Sequence, residues 1–269
     1  MPELPEVETT KNGLLPLIKH QVVLKAIRHR ENLRWEIPKH LEATLAEQKI
    51  LDINRRGKYL LVRFNVGTLI IHLGMSGSIK VVNSNTPLLK HDHFELQLEN
   101  NTSMRLNDPR RFGAVLFSKD GTHTLLDSLG VEPLEAEFDN EFLFTHSRNK
   151  QQNIKAFIMD SKVVVGVGNI YACESLFTSG INPERKAGSI SKKRYQLLTQ
   201  HIKSILKKAI EAGGTTLQDF SQVDGQPGYF TQTLNVYGRE AEQCSICNGK
   251  ISRIIQNQRS TFYCPSCQT

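Results

Sequence analysis

The chain has 269 residues, with 34 Lys plus Arg against 27 Asp plus Glu, a formal net charge of +7 and 39% hydrophobic residues. That length supplies two modest domains with buried cores, and no apolar run is long enough to span a bilayer, so no membrane role is expected. The basic balance favours a polyanionic partner, and the first ten residues carry Glu3, Glu6 and Glu8 but no basic side chain, which argues against a signal or transit peptide and for a cytoplasmic location.

Met1-Pro2-Glu3 comes first. A small residue at position two permits removal of Met1. The secondary amine then exposed on Pro2 has a pKa of about 8, far below the roughly 10.4 of lysine, so part of it is neutral and nucleophilic at pH 7. The alternative is a proline used only as a stiff turn residue. A helix is predicted from about Pro5 to Leu17, with proline tolerated in its first turn.

From about residue 20 to 118, short apolar runs rich in β-branched residues, such as Tyr59–Phe64 and Thr68–Leu73, read as strands. Phe94–Leu98 and Ser103–Leu106 alternate apolar with polar residues across a turn signal, predicting a hairpin with one wet face. A β-sandwich or barrel follows. Two loops in this half suit a surface that invades a duplex: His72–Gly77 presents Met75 between glycines, and Asp108–Gly113 places Arg110 and Arg111 beside Phe112. Met and Phe can wedge into a base stack and arginine can fill the space of an expelled base, although Met or Phe at a strand end is commonly core. Arg55-Arg56-Gly57-Lys58 and His91-Asp92-His93 suit phosphate contacts, and a metal at His91 and His93 lacks a third ligand.

Beyond Pro133, Glu135, Glu137, Asp139 and Glu141 form an acidic stretch that reads as a linker, giving expected boundaries of 1–133, 134–150, 151–234 and 235–269. Ile154, Phe157, Ile158 and Ser161 repeat at helical spacing, as do Leu197, Leu198, Ile202, Ile205, Leu206 and Ile210, with Ser191 as N-cap and Gly213-Gly214 as stop. Between them, Gly166-Val167-Gly168-Asn169 offers a turn whose backbone and Asn169 side chain can approach a phosphate. It follows a helix and lacks a P-loop lysine, which argues against a nucleotide cofactor. Cys173 stands alone in a helical stretch and reads as a packing residue.

The chain ends in Cys244-x2-Cys247-x16-Cys264-x2-Cys267, four thiolates in two close pairs that suit one structural zinc ion, with iron as the alternative. Such a closed site would hold the hairpin Gln256–Phe262 in shape. Arg259 at its tip is either a phosphate-gripping group or an ordinary solvated arginine.

Together, Pro2–Glu8, the run ending at Lys58, His72–Gly77, Asp108–Gly113, Gly166–Tyr171 and the ending Gln258–Cys264 closely resemble the bacterial formamidopyrimidine-DNA glycosylases over the full length of the chain. The resemblance implies an α+β architecture: an N-terminal β-sandwich, a helix-two-turns-helix domain and a C-terminal zinc-finger hairpin, binding duplex DNA between the halves as a monomer associated with the nucleoid. It implies excision of 8-oxoguanine and formamidopyrimidines, followed by β,δ-elimination at the abasic site. Pro2 is then the nucleophile, Glu3 the proton-transfer group, and Lys58 and Arg259 the proton donors for the first and second eliminations. His91, Arg110, Lys150 and Asn169 match DNA-contact positions, and Met75, Arg110 and Phe112 match the residues that fill the void opposite the flipped base. Thr215 to Gly228 is expected to act as a lid over that base.

Three rivals remain at this level: a sister glycosylase resembling endonuclease VIII with a preference for oxidised pyrimidines, a zinc-finger protein that binds damaged DNA without cutting it, and a zinc-ribbon RNA-binding module. Leu4 and Val7-Glu8-Thr9 fit the purine branch better, and Pro2, Glu3 and Lys58 together argue for catalysis.

Overall fold

The structure is a computed structural model that describes residues 2–215 and 234–269, so Met1 and most of the expected lid segment lie outside the described residues. The chain divides into two compact units, one drawn from Met1–Asp127 and Ala212–Thr231, the other from Ser128–Glu211 and Gln232–Thr269.

In the first unit, helix α1 (Leu4–Ile18) precedes two four-stranded antiparallel sheets. The strands are β1 (Val23–Arg28), β2 (Asp52–Arg56), β3 (Tyr59–Phe64), β4 (Gly67–His72), β5 (Ser78–Asn83), β6 (Asp92–Leu98), β7 (Thr102–Asn107) and β8 (Ala114–Ser118), with short helices α2 (Leu41–Leu45) and α3 (Thr124–Asp127). Sheet order is β1-β6-β7-β5 in one layer and β2-β3-β4-β8 in the other. Period-two burial turns Leu60, Val62 and Phe64 of β3 and Leu69 and Ile71 of β4 into the same core as Phe94, Leu96, Met104 and Leu106 of the opposite sheet. Val7, Leu14 and Ile18 of α1 close that core at helical spacing. These are the walls of the expected sandwich.

The β6–β7 hairpin forms where the sequence places it, but its polar face is largely covered: Glu95, Ser103 and Arg105 are buried and Gln97 is half-buried. Arg105 Nε donates to Glu95 Oε1 at 3.0 Å, His29 Nε2 meets Glu95 Oε2 at 2.8 Å, and the rest of the Arg105 guanidinium reaches the carbonyls of Pro87 and Ser84. Paired charges can be covered where single ones cannot, and the alternation of residue types carries no sign of that pairing.

In the second unit, the acidic stretch contains a helix, α4 (Asn140–Ser147), whose N-cap Asp139 accepts from Phe142 N at 2.7 Å. α5 (Ile154–Ile158) is shorter than its apolar spacing suggests, ending three residues before Ser161 as the chain turns through Asp160. α6 (Asn169–Thr178) is buried along most of its length. The long α7 (Lys192–Glu211) buries Tyr195, Leu198, Ile202 and Leu206, while Leu197 faces outward. Ser191 Oγ accepts from Arg194 N, as an N-cap should. The unit ends in a hairpin of β9 (Ser252–Gln256) and β10 (Arg259–Tyr263). No helix among the described residues is long and apolar enough to cross a membrane.

Candidate catalytic, DNA-contact and metal sites

Pro2 and Glu3 are buried at the start of α1, held by a capping box. Glu3 N donates to Glu6 Oε2 at 2.8 Å while the Glu3 carboxylate accepts from the Glu6 backbone. The helix dipole favours negative charge at this end. The second Glu6 oxygen accepts from Thr215 N at 2.8 Å. Glu6 therefore fixes the residue next to the proposed nucleophile, and the Glu-x-x-Glu spacing was the available signal for it.

Lys58 sits in the β2–β3 turn, after Gly57 in the left-handed region at φ +57°. The turn is anchored from α1: Arg55 Nε donates to Glu8 Oε2 at 2.6 Å, and Arg55 also donates to Gly57 O at 2.9 Å. Burial works to raise the Glu8 pKa, but hydrogen bonds from Lys11 and Arg55 outweigh it and hold the carboxyl below its ordinary value. Tyr59 packs on His72 across the ladder, with ring centroids 4.8 Å apart. Burial, then the charges of Lys58 and Arg34, push the His72 imidazole down to about 4. His72 is thus neutral at pH 7, and its Nδ1 accepts from Gly74 N at 2.9 Å.

The two loops expected at a duplex are pinned to each other by Asp108, which is fully buried. Its carboxylate accepts from Ser76 Oγ at 3.1 Å and Gly113 N at 2.8 Å, and Arg110 N donates back to Ser76 Oγ. A Cβ on Gly74 would lie 2.4 Å from Gly113 N, so the close approach requires glycine there. Phe112 is 47% exposed, the Arg110 guanidinium lies 5.4 Å from its ring centroid, and Met75 is half-buried. Phe112 is therefore presented outward rather than packed in the core. His91 joins the same group, its carbonyl accepting from Asp108 N at 3.0 Å.

In the second unit, Asn169 opens α6 after Gly168. Its Nδ2 donates to Ser260 O at 2.8 Å and to Tyr237 Oη at 3.4 Å, so the side chain links α6 to the β9–β10 hairpin. Buried Lys155 reaches the same strand, donating to Thr261 Oγ1 at 2.6 Å. Glu174 grips residues 235–237: one oxygen accepts from Asn235 N and Nδ2, the other from Val236 N and Tyr237 N, all at 2.9–3.0 Å. Arg259 is exposed at the hairpin tip, where Asn257 and Gln258 both take positive φ, the geometry of a two-residue turn matched to strand twist. Lys150 is exposed after α4.

The sulfur atoms of Cys244, Cys247, Cys264 and Cys267 all lie within 4.8 Å of one another, with Cys244–Cys267 at 3.8 Å and Cys247–Cys264 at 3.5 Å. Tetrahedral zinc with bonds of about 2.3 Å needs sulfurs about 3.8 Å apart, so the four residues fit one closed structural ion. Among the described residues no other group of three or more potential ligands gathers this way, and His91 and His93 are not part of one. Cys173 packs with Phe177, Val236, Cys244, Ile251, Phe262 and Cys264, which makes it the floor under the metal hairpin. Glu8 and His72 lie within the motifs Pro2–Glu8 and His72–Gly77, whereas Arg34, Lys155, Glu174 and Tyr237 join the sites through contacts distant in sequence, for which no local pattern exists.

Comparison with known proteins agrees with this arrangement. The family description "Formamidopyrimidine-DNA glycosylase N-terminal domain" matches residues 1–115, "Formamidopyrimidine-DNA glycosylase H2TH domain" residues 129–221, and "Zinc finger found in FPG and IleRS" residues 241–269. The chain is 73% identical over 269 residues, covering 100% of both proteins, to the formamidopyrimidine-DNA glycosylase of Ruthia magnifica subsp. Calyptogena magnifica. It is similar in structure to the MutM (FPG) protein of Thermus thermophilus, with a TM-score of 0.90 and 36% identity over 99% of this chain and 98% of that one. It is also similar to wild-type Lactococcus lactis Fpg (MutM) in complex with N7-benzyl-Fapy-dG containing DNA, with a TM-score of 0.90 and 31% identity over 100% of both. With an N-terminal sandwich, a helical domain and a four-cysteine hairpin in the order these relatives share, the chain belongs to the formamidopyrimidine-DNA glycosylase family.

Proposed function

We infer that this protein is a base-excision repair enzyme that removes oxidised purines, 8-oxoguanine and formamidopyrimidines, from duplex DNA and then cleaves the strand as an abasic-site lyase. The observation that carries the reading is the capping box that holds Pro2 and Glu3 at the start of α1. Removal of Met1 frees the Pro2 amine. The amine attacks C1′ of the flipped nucleotide, the C1′–N9 bond breaks, and the departing base takes up a proton. Glu3 carries the proton released from the Pro2 amine to O4′ as the C1′–O4′ bond opens, which gives an iminium joining Pro2 N to C1′.

The iminium acidifies the C2′ proton. Its loss expels the 3′ phosphate, and a second elimination expels the 5′ phosphate, leaving a one-nucleotide gap. Lys58 serves as proton donor in the first elimination and Arg259 in the second, and each cation also neutralises phosphate charge. His91, Arg110, Lys150 and Asn169 contact the DNA backbone, while Met75, Arg110 and Phe112 fill the void left by the flipped nucleotide. The active species is a monomer with functional segments 1–133, 151–234 and 235–269 joined by 134–150, working in the cytoplasm on the nucleoid. One structural zinc ion held by Cys244, Cys247, Cys264 and Cys267 shapes the hairpin that carries Arg259.

Borohydride trapping tests the assignment. The purified protein is incubated with duplexes containing 8-oxoguanine, thymine glycol or no lesion, beside a Pro2→Gly variant. A Pro2-dependent crosslink mainly on 8-oxoguanine, with strand cleavage when borohydride is omitted, is expected. A crosslink mainly on thymine glycol would move the protein to the pyrimidine branch.

A further inference from the structure

Residues 31–37 of the first unit form a closed loop that the roles above do not use. Ile37 is fully buried and its N–H donates to Glu31 O at 2.8 Å, Asn32 and Glu36 form an antiparallel bridge, and Leu33 N donates to Trp35 O. Arg34 and Trp35 sit between these ties. Trp35 is the single tryptophan of the chain and is 38% exposed, and the exposed Arg34 places its guanidinium carbon 4.6 Å from the indole centroid. Among the described residues no carboxylate pairs with Arg34, although Glu31 and Glu36 flank it in the loop.

The backbone places this pair beside the loop assigned to the duplex. Arg34 N donates to Gly113 O at 3.1 Å, and Gly113 follows Phe112 directly. Arg34 also acts electrostatically on Tyr59 and His72, the same imidazole that feels Lys58. A guanidinium laid over an indole keeps its N–H edge for a second partner, and a forked donor suits the paired oxygens of a phosphate.

We propose that Arg34 and Trp35 are an additional DNA-contact element, in which Arg34 binds a backbone phosphate and Trp35 holds the guanidinium in place against the adjacent sugar. The proposal rests on the reading that Arg110 and Phe112 enter the duplex.

Two measurements on the intact zinc-loaded protein test it, with a duplex containing a tetrahydrofuran abasic analogue as probe. In the first, affinity is followed against salt for wild type, Arg34→Gln and a control, Lys207→Gln, on the exposed side of α7. Arg34→Gln is expected to bind more weakly at low salt and to lower the slope of log K against log salt by about 0.9, the value for one phosphate contact. Lys207→Gln should keep the wild-type slope. In the second, acrylamide quenching of Trp35 in the unmutated protein should be suppressed when the duplex is added, which needs no variant to fold. A steep wild-type slope with Arg34→Gln unchanged, or quenching unaffected by saturating duplex, overturns the assignment of Arg34 and Trp35 alone. Failure of the wild type to bind overturns the underlying DNA reading instead.

Discussion

The N–H of Thr215 donates to Glu6 Oε1 at 2.8 Å, joining residues 209 positions apart beside the capping box of α1. Because the other Glu6 oxygen accepts from Glu3 N, the site needs both carboxylate oxygens as acceptors. Glu6→Gln keeps the shape but turns an amide N–H₂ toward one of these donors. A buried donor left without an acceptor costs about 1–3 kcal/mol. We expect denaturant titration to show a loss of that size, together with weaker borohydride trapping. A variant of wild-type stability and full trapping would remove Glu6 from the positioning of Pro2 and Glu3.

Lys58→Gln separates the two halves of the reaction. In the proposed mechanism base release and trapping depend on Pro2 and should survive in reduced form, whereas loss of the proposed proton donor should slow the first elimination by about 100-fold or more. Single-turnover assays that score free base and cut strand separately read both. Equal loss of the two would mean that Lys58 acts on binding.

Glu174→Gln tests the clasp on residues 235–237. The carboxylate accepts four N–H groups, and an amide cannot accept from both pairs. Tyr237 should lose its fixed position between Asn169 and the Phe262 ring, whose centroid lies 5.0 Å away. The expected result is about tenfold weaker DNA binding, roughly 1.4 kcal/mol, with zinc content unchanged. Wild-type affinity would show that the clasp is structural only.

Acid should destabilise the fold in two stages. His72 is held at about 4 by burial and by the charges of Lys58 and Arg34, and burial lowers His93 and His201 as well. The unfolded chain takes up protons near the ordinary histidine value, so the folded state loses stability as pH falls below about 6.5 toward 4. Glu8 and Glu95 are lowered by hydrogen bonds that overcome the effect of burial. Their contribution is present above the ordinary glutamate pKa of about 4.3 and is lost below it. Thermal melts across pH 3–8 should show both losses, and His72→Gln should flatten the upper one.

Zinc removal should cost more than local order. The hairpin carries Arg259 and offers Ser260 O to Asn169 and Thr261 Oγ1 to Lys155, so chelation should abolish DNA binding and cleavage, and added zinc should restore both. Elemental analysis should find one zinc per chain. Full binding by a verified metal-free protein would contradict this role for the finger.

The parts of the molecule written in short-range patterns were legible. The strand runs, the hairpin at residues 94–106, the helix that begins α1 and the paired cysteines each follow from spacing within a few residues. Residues held by distant partners were not. Asp108 is a loop residue in sequence, yet its buried carboxylate joins two loops through Ser76 and Gly113. Glu95 and Arg105 looked like the wet side of a hairpin because alternation records polarity and not pairing. Asn169 was legible as a phosphate-contact candidate, but its hold on Ser260, 91 positions away, depends on tertiary packing.

The cysteine hairpin also has a chemical liability. Cys247 is exposed while Cys244 and Cys264 are buried, so one sulfur of the set stands open to peroxide. Oxidation of that thiolate to a sulfenic or sulfinic acid removes a metal ligand and with it the force that shapes the hairpin. Cys173 and Phe177 of α6 pack directly on Cys244 and Cys264, so the disturbance reaches the helix that begins at Asn169. A protein proposed to act on oxidised bases thus carries an oxidisable metal ligand of its own, and peroxide should release zinc and weaken DNA binding.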